Sequence, residues 1–259
     1  MKGLKKYSHK DRGKIIKEMI PLIKKKFGKN LLALAAQASY ARNEDYAYSD
    51  LELIAFIKKK PRGKKWDGMG KIRDGLLVEL MWTTKEMYLQ HVREVTDDWY
   101  IAGSDRLVPL INKKYIEEIN AYQVQNLKEK CWHQAAGLWN EIQEGVAKVL
   151  NAIIKKNRDG LPLLLIVNYW WMLKLLALLN QKPYTTFAKG TTQAKKFKTK
   201  PAHFEDLTRL IIEGKYQNLP RLRKIIQQVF TEFENIFEQQ GFDLYYDNFD
   251  PNKPSKPWG

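Results

Sequence analysis

The chain has 259 residues, of which 44% are hydrophobic and 12% aromatic, with 15 Gly and 10 Pro. This composition excludes collagen-like, coiled-coil and disordered chains and is typical of a packed globular protein of one or two domains. Lys and Arg number 45 against 29 Asp and Glu, a formal net charge of +16, which indicates a polyanionic partner: nucleic acid, a nucleotide or an anionic membrane. The single cysteine, Cys131, excludes an internal disulfide and cysteine-rich zinc sites, so we expect a reducing, cytoplasmic environment.

The first half of the chain mixes helical and strand patterns. Helical spacing predicts helices over residues 10–27 and 84–95, and a polar loop is predicted over 39–48. Residues 58–73 hold eight Lys or Arg with three Gly and one Pro, which is typical of a basic hairpin tip. Apolar runs and alternation predict four strands, over 31–36, 50–57, 76–82 and 106–111.

The second half of the chain is helical by its periodicity. The spacing predicts six helices, over 114–122, 125–155, 161–180, 191–195, 203–213 and 220–240. The fold class is therefore α/β followed by all-α. We expect a mixed-sheet domain with helices at 1–115 and a helical bundle at 116–259.

One apolar segment, Leu161–Leu179, is long enough to span a membrane. It is interrupted by Pro162, Asn168 and Lys174, and an amide near the bilayer centre is costly. We therefore expect a buried core or interface helix and no membrane span.

Two acidic residues in the first half form a candidate metal site. Asp50 and Glu52 lie two residues apart on a predicted strand, so their side chains project from one face, about 7 Å apart. Paired carboxylates can hold divalent ions, and hard oxygen ligands suit Mg²⁺ bound to nucleotide phosphates. Upstream, Ser39 and Arg42 offer a hydroxyl and a guanidinium to phosphate oxygens. Taken alone, Asp-x-Glu is more often an exposed strand face.

A second candidate set lies on a helix predicted in the other half. Glu141, Glu144 and Lys148 are spaced at i, i+3 and i+7, so they share one helix face. A carboxylate there can accept the proton of a substrate hydroxyl. The alternative is a solvated helix face with an ordinary Glu–Lys pair.

These motifs together resemble a known family. Ala38-Ser39, Arg42 and Ser49-Asp50-Leu51-Glu52 resemble the Gly-Ser, Arg and Ser-Asp-x-Asp/Glu signature of the nucleotidyltransferase superfamily that includes DNA polymerase beta, and most closely the kanamycin nucleotidyltransferase family. Further similar elements are Val78-Glu79-Leu80, Asp98-Trp99 and Lys182-Pro183-Tyr184-Thr185-Thr186. The resemblance spans about residues 10–245.

The resemblance implies a reaction and a site. The reaction is transfer of a nucleoside monophosphate, AMP from Mg²⁺-bound ATP, to a hydroxyl of a small molecule, with an aminoglycoside antibiotic as the family default and pyrophosphate as the leaving group. The resemblance also implies a homodimer whose site lies between two subunits. The implied roles are metal carboxylates at Asp50, Glu52 and Glu79, nucleotide ligands at Ser39, Arg42, Lys148 and Thr186, and a general base at Glu144.

Two departures from the family pattern leave alternatives open. Ala38 replaces a glycine whose positive φ brings the backbone close to phosphate, so one alternative is a catalytically degraded nucleotide-binding protein. Segment 58–73 is basic where the family is acid-rich, and a basic rim repels a polycationic aminoglycoside. The second alternative is therefore a nucleotidyltransferase acting on a macromolecule, tRNA or a protein. A metal-bound nucleotide is favoured over nucleic acid as the polyanion.

Overall fold

The structure is a computed structural model that describes residues 3–59, 67–242 and 244. The chain divides into two compact units. The first unit comprises Met1–Glu94 and Gly103–Val124, and the second comprises Val95–Ala102 and Gln125–Gly259.

A five-stranded mixed sheet forms the centre of the first unit. The strands are β1 (Leu31–Ala36), β2 (Leu51–Ile57), β3 (Asp67–Arg73), β4 (Leu76–Thr83) and β5 (Val108–Ile111). Their order is β3-β4-β2-β1-β5, with β2 and β4 parallel and the other neighbouring pairs antiparallel. Four of these strands agree with the predicted ones. The prediction of a hairpin tip over 58–73 was wrong for residues 67–73, which form β3, and residues 60–66 of that segment lie outside the described residues.

The described parts of the chain contain eleven α-helices. They are α1 (His9–Phe27), α2 (Ala38–Ala41), α3 (Lys85–Tyr88), α4 (Trp99–Ala102), α5 (Lys113–Asn120), α6 (Leu127–Gly137), α7 (Trp139–Ile154), α8 (Leu161–Leu179), α9 (Gly190–Ala194), α10 (Phe204–Ile212) and α11 (Leu219–Glu238). After α3 the chain continues as a π-helix over Leu89–Arg93. The helix predicted over 125–155 is two helices, α6 and α7, with the break at Leu138.

Both faces of the sheet are covered by helices. Ile16 and Ile23 of α1 join the core on one face, together with Leu53 of β2. On the other face, Ile116 and Ile119 of α5 pack with strand residues. Because α5 completes this second core, it belongs to the first unit, whereas the expected domain boundary after residue 115 cuts through it.

The second unit is a helical assembly around α8. Twelve of the 19 residues of α8 are buried, including Asn168 and Lys174. By length and composition it is the one helix in the described residues that could cross a membrane, yet 61% of its most apolar window is buried within the protein. Its burial agrees with the expected core helix.

Candidate active site

Four strand ends meet at one edge of the sheet. β2 and β4 are parallel, with Leu51 opposite Val78, so both strands begin at this edge. β1 lies between β2 and β5 and is antiparallel to both, with Ala36 opposite Leu53 on one side and Val108 on the other. The residues that follow β1 are therefore neighbours of those that lead into β2, β4 and β5.

Four acidic residues come from these strand ends: Asp50, Glu52, Glu79 and Asp105, which we call the carboxylate cluster. Glu52 is opposite Glu79 in the parallel pair β2–β4, so their side chains project from one face. The pKa of Glu52 is raised to about 7, first by burial and next by the negative charge of Asp50, with smaller contributions from Glu79 and Asp105. The side-chain amide of Gln37 donates to Glu52 Oε2 at 3.2 Å and opposes this rise.

The chemistry of this cluster fits a divalent cation. A carboxyl group that burial and neighbouring carboxylates hold partly protonated near neutral pH can bind a cation, because the cation replaces the proton. Within the described residues, no group of three or more His, Cys, Asp or Glu side chains is placed to hold a metal ion by itself. Mg²⁺ keeps several waters and substrate phosphates among its ligands and needs only one or two protein carboxylates, a number that Asp50 and Glu52 could supply.

Sequence reasoning missed Asp105. It precedes β5, and only the pairing of β5 with β1 brings it to the site edge. The signal available was an acidic residue directly before the last predicted strand. Burial raises the pKa of Asp105, and the positive charges of Arg42 and Arg93 oppose the rise. Arg93 Nη1 donates to the Asp105 backbone carbonyl at 2.5 Å.

Arg42 lies beside the carboxylate cluster. Its Nη1 donates to Asp105 Oδ1 at 2.5 Å, and its Nε lies 3.4 Å from Glu44 Oε2. The guanidinium therefore joins the loop after α2 to the residue before β5. In this arrangement it is neutralised by acids of the first unit, so binding a phosphate requires an exchange of partner.

The turn before Ser39 keeps the backbone conformation that favours glycine. Ala38 has a φ of 54°, and a left-handed conformation costs a residue with a Cβ about 1–2 kcal/mol. The backbone amide of Arg42 donates to the Ala38 carbonyl at 3.2 Å, which closes the turn. The replacement of glycine by Ala38 has therefore left the local geometry in place at a cost in strain.

We expect Ala38→Gly to increase the free energy of unfolding by about 0.5–1 kcal/mol, because it removes this strain. Ala41→Gly is the matched control in the same helix, where φ is not positive. It is expected to lower stability by a similar amount. Urea unfolding of both variants measures the difference, and equal effects of the two would contradict the strain at Ala38.

The remaining predicted site residues lie in the second unit. Glu144 and Lys148 form an i, i+4 ion pair of 2.8 Å, with side chains 60% and 55% exposed. Thr186 Oγ1 accepts a hydrogen bond from the Lys189 backbone amide at 3.2 Å and so caps a short 3₁₀ helix. These positions leave Glu144 and Lys148 accessible on α7, and the roles of all three residues stay predictions.

The described parts of the basic segment lie at both ends of the sheet: Lys58 follows β2 at the end far from Asp50, whereas Arg73 ends β3 opposite Leu76, at the edge where β4 begins. Asp50 precedes β2 and Lys58 follows it, which separates them by ~26 Å at the rise of an extended strand. Arg73 forms an ion pair with Glu18 of α1, which packs on the face opposite to Glu52. The Arg73 side chain is therefore at the site edge but on the other face of the sheet from Glu52, and residues 60–66, on which most of the predicted basic rim falls, lie outside the described residues.

The raised pKa of Glu52 predicts a pH dependence of stability. A carboxyl whose pKa is higher in the folded than in the unfolded chain stabilises the fold below about 4.5. That contribution is lost as the pH rises through about 7. In metal-free protein we expect Glu52→Gln to remove this dependence and to be more stable than wild type at pH 8, by on the order of 2 kcal/mol. Urea unfolding at pH 5 and pH 8 tests this, and parallel pH profiles of the two proteins would be the opposite result.

Comparisons with known proteins agree with this fold. A family model described as the KNTase C-terminal domain matches residues 112–243, just over half of the chain. Two proteins named aminoglycoside nucleotidyltransferase (4′), from Staphylococcus aureus and from a Bacillus species, are each 22% identical over 243 residues, covering 91% of this chain and 93% of theirs.

A solved structure shares the fold. It is a nucleotidyltransferase-like protein from Exiguobacterium sibiricum 255-15, with a TM-score of 0.50 and 11% identity, covering 87% of this chain and 75% of that one. The architecture is thus an α/β nucleotidyltransferase domain followed by a helical domain. The chain belongs to the kanamycin nucleotidyltransferase-like family and is a nucleotidyltransferase enzyme.

Proposed function

We propose that the enzyme transfers AMP from Mg²⁺-bound ATP to a hydroxyl of an aminoglycoside and releases pyrophosphate. The observation that carries this proposal is the carboxylate cluster at the edge of the sheet, where burial and the neighbouring carboxylates raise the pKa of Glu52 to about 7, so that a bound cation would favour its charged form. The two similar proteins are named for the 4′ position of aminoglycosides. The 4′ hydroxyl is therefore the acceptor we expect.

Each predicted ligand of the metal or the nucleotide has a proposed task in this reaction. Asp50, Glu52 and Glu79 hold the metal. Bound Mg²⁺ supplies positive charge to the transferred phosphoryl group. The Ser39 hydroxyl and the Arg42 guanidinium bind nucleotide phosphates, and Arg42 leaves Asp105 to do so. Lys148 and Thr186 are proposed as further nucleotide ligands.

The proposed general base is Glu144. It is exposed on α7, where its carboxylate can accept the proton of the acceptor hydroxyl as that oxygen attacks phosphorus. Lys148 forms an ion pair of 2.8 Å with Glu144 one turn away on the same helix.

The charge distribution favours a cationic acceptor over a macromolecular polyanion. The site edge of the first unit carries the carboxylate cluster and Glu44, and acidic surfaces attract polycations. The alternative with tRNA or a protein as acceptor depended on a basic segment beside the cleft. Of the described residues of that segment, Lys58 lies at the far end of the sheet, and Arg73, at the near end, is paired with Glu18 on the face opposite to Glu52.

We also propose that the enzyme works as a homodimer in the cytoplasm, where ATP and Mg²⁺ are available. α8 exposes three apolar side chains at i, i+3 and i+4: Leu163, Ile166 and Val167, which are 67%, 58% and 41% exposed. A contiguous apolar stripe on a helix is typical of a subunit contact. A second copy of this chain is the proposed partner for that face.

A pyrophosphate-release assay tests the proposal. The four nucleoside triphosphates are combined with Mg²⁺ and with aminoglycosides that carry or lack the 4′ hydroxyl. We expect release with ATP only when the 4′ hydroxyl is present, and a product heavier by one AMP in mass spectrometry. Release that requires tRNA or a protein and weakens steeply with salt would favour the macromolecular alternative. If no acceptor leads to pyrophosphate release, the alternative of a catalytically degraded nucleotide-binding protein would be favoured.

A further inference from the structure

A fully buried arginine in α1 holds the loop that leads to Asp50. Arg12 is 0% exposed, and the side chain of its partner Asp45 is 1% exposed. Arg12 Nη1 lies 2.9 Å from Asp45 Oδ2. Burying two charges costs desolvation free energy, and apolar residues of the same volume often stabilise a fold as well or better. The pair is therefore better explained by the local backbone geometry that it fixes.

The other hydrogen bonds of Arg12 go to backbone carbonyls around that loop. Nη2 donates to Tyr46 O at 2.9 Å and to Ser49 O at 2.5 Å, and Nε donates to Ser49 O at 3.2 Å. Nη1 also donates to Tyr7 O at 2.9 Å. All five N–H bonds of the guanidinium are thus used, a pattern that the three donors of a lysine cannot reproduce.

These contacts fix the peptide group directly before the metal carboxylate. The carbonyl of Ser49 belongs to the peptide bond that joins Ser49 to Asp50, and Arg12 holds that oxygen from two nitrogens. The turn is closed further by the Ser49 amide, which donates to Tyr46 O at 3.0 Å. The direction in which Asp50 leaves the loop is therefore set by Arg12.

The second oxygen of Asp45 connects this network to the phosphate side of the site. Asp45 Oδ1 lies 2.6 Å from His9 Nδ1. The His9 ring stacks on Tyr40, with centroids 4.2 Å apart and planes 8° apart. Tyr40 follows Ser39 in α2. The buried pair thus contacts the loop before Asp50 directly and is linked through His9 to the helix that contains Ser39.

We propose that Arg12 and Asp45 are positioning residues that hold Asp50 in the orientation required for divalent-cation binding. This inference rests on the proposed function, because it assumes that Asp50 is a metal ligand. Residues that orient metal ligands typically change metal affinity or activity by 10- to 100-fold when mutated.

The test is the affinity of the full-length protein for Mn²⁺, measured by electron paramagnetic resonance without nucleotide or acceptor. Arg12→Lys keeps the charge and loses the five-donor geometry, and Asp45→Asn keeps the shape and loses the charge. We expect either variant to bind Mn²⁺ about 10- to 100-fold more weakly than wild type. The matched control is Arg73→Lys, which alters an exposed ion pair with Glu18 on the same helix and is expected to bind Mn²⁺ like wild type.

The outcomes separate this inference from the proposed function. Wild-type affinity for Mn²⁺ in a folded Arg12→Lys or Asp45→Asn protein would overturn the positioning role and leave the metal site intact. A wild-type protein that binds no Mn²⁺ would overturn the metal site itself, and the positioning role with it. Should one variant fail to fold, the other decides. Should both fail, hydrogen exchange of the Ser49 amide, which donates to Tyr46 O inside the turn that Arg12 holds, decides in the wild type: fast exchange would overturn the role, and slow exchange would support it.

Discussion

Asp50→Asn is expected to reduce nucleotidyl transfer by about 10²- to 10³-fold or more, because a neutral amide is a poor ligand for Mg²⁺ and removes charge stabilisation at the transferred phosphoryl group. The substitution preserves shape and relieves repulsion of Glu52, whose pKa the Asp50 charge helps to raise. The thermal unfolding temperature of the metal-free variant should therefore equal or exceed that of wild type. Pyrophosphate release and calorimetry measure the two effects.

The matched control for this prediction is Glu18→Gln. Glu18 is also a carboxylate of the first unit, but it lies on α1 and pairs with Arg73 on the opposite face of the sheet. We expect this variant to keep wild-type activity. Full activity of Asp50→Asn would contradict the metal assignment, whereas a large activity loss in Glu18→Gln would indicate that charge removal anywhere in this unit impairs the enzyme.

Two members of the carboxylate cluster, Asp50 and Glu52, could be predicted because their common orientation depends only on local spacing. Asp50 and Glu52 are two residues apart, and a strand places such residues on one face whatever the rest of the chain does. The role of Glu79 followed from the resemblance alone. Its position opposite Glu52 depends on parallel pairing of β2 with β4, which no local pattern encodes.

The features that sequence reasoning missed depend on long-range pairing or on weak local signals. Asp105 reaches the site only through the pairing of β5 with β1. β3 contains Gly68 and Gly70 and is exposed at most positions, so neither apolar alternation nor burial marks it as a strand. The position of the second half of the basic segment was also unpredictable, because only the antiparallel pairing of β3 with β4 brings Arg73 to the edge where β4 begins.

The substitution of Ala38 shows why a sequence departure is weak grounds for loss of function. The missing glycine predicts a changed turn, yet Ala38 adopts a φ of 54°. The surrounding hydrogen bonds and strand pairings impose that conformation. The free-energy cost of the strained φ is small beside the free energy that burial of the core contributes to folding. A degraded site is thus not required by this residue.

The second large effect is expected at Glu144. Glu144→Gln should reduce the rate by about 10²- to 10⁴-fold, the range for loss of a general base, with little change in stability because the side chain is 60% exposed. Glu141→Gln, at an exposed position of the same helix, is the matched control and should retain activity. Pyrophosphate release under saturating substrates measures both. A fully active Glu144→Gln would contradict its role as base.

Mixing the two inactive variants tests whether Asp50 and Glu144 of different subunits act together. In a homodimer with shared sites, a mixed dimer of Asp50→Asn and Glu144→Gln chains carries both substitutions in one site and neither in the other. Random exchange makes half of the dimers mixed, so an equimolar mixture should recover about a quarter of wild-type activity. Adding Leu163→Asp to both chains should abolish the recovery by burying a charge in the proposed α8 contact. A mixture no more active than its separate components would instead place both residues in a site built from one chain.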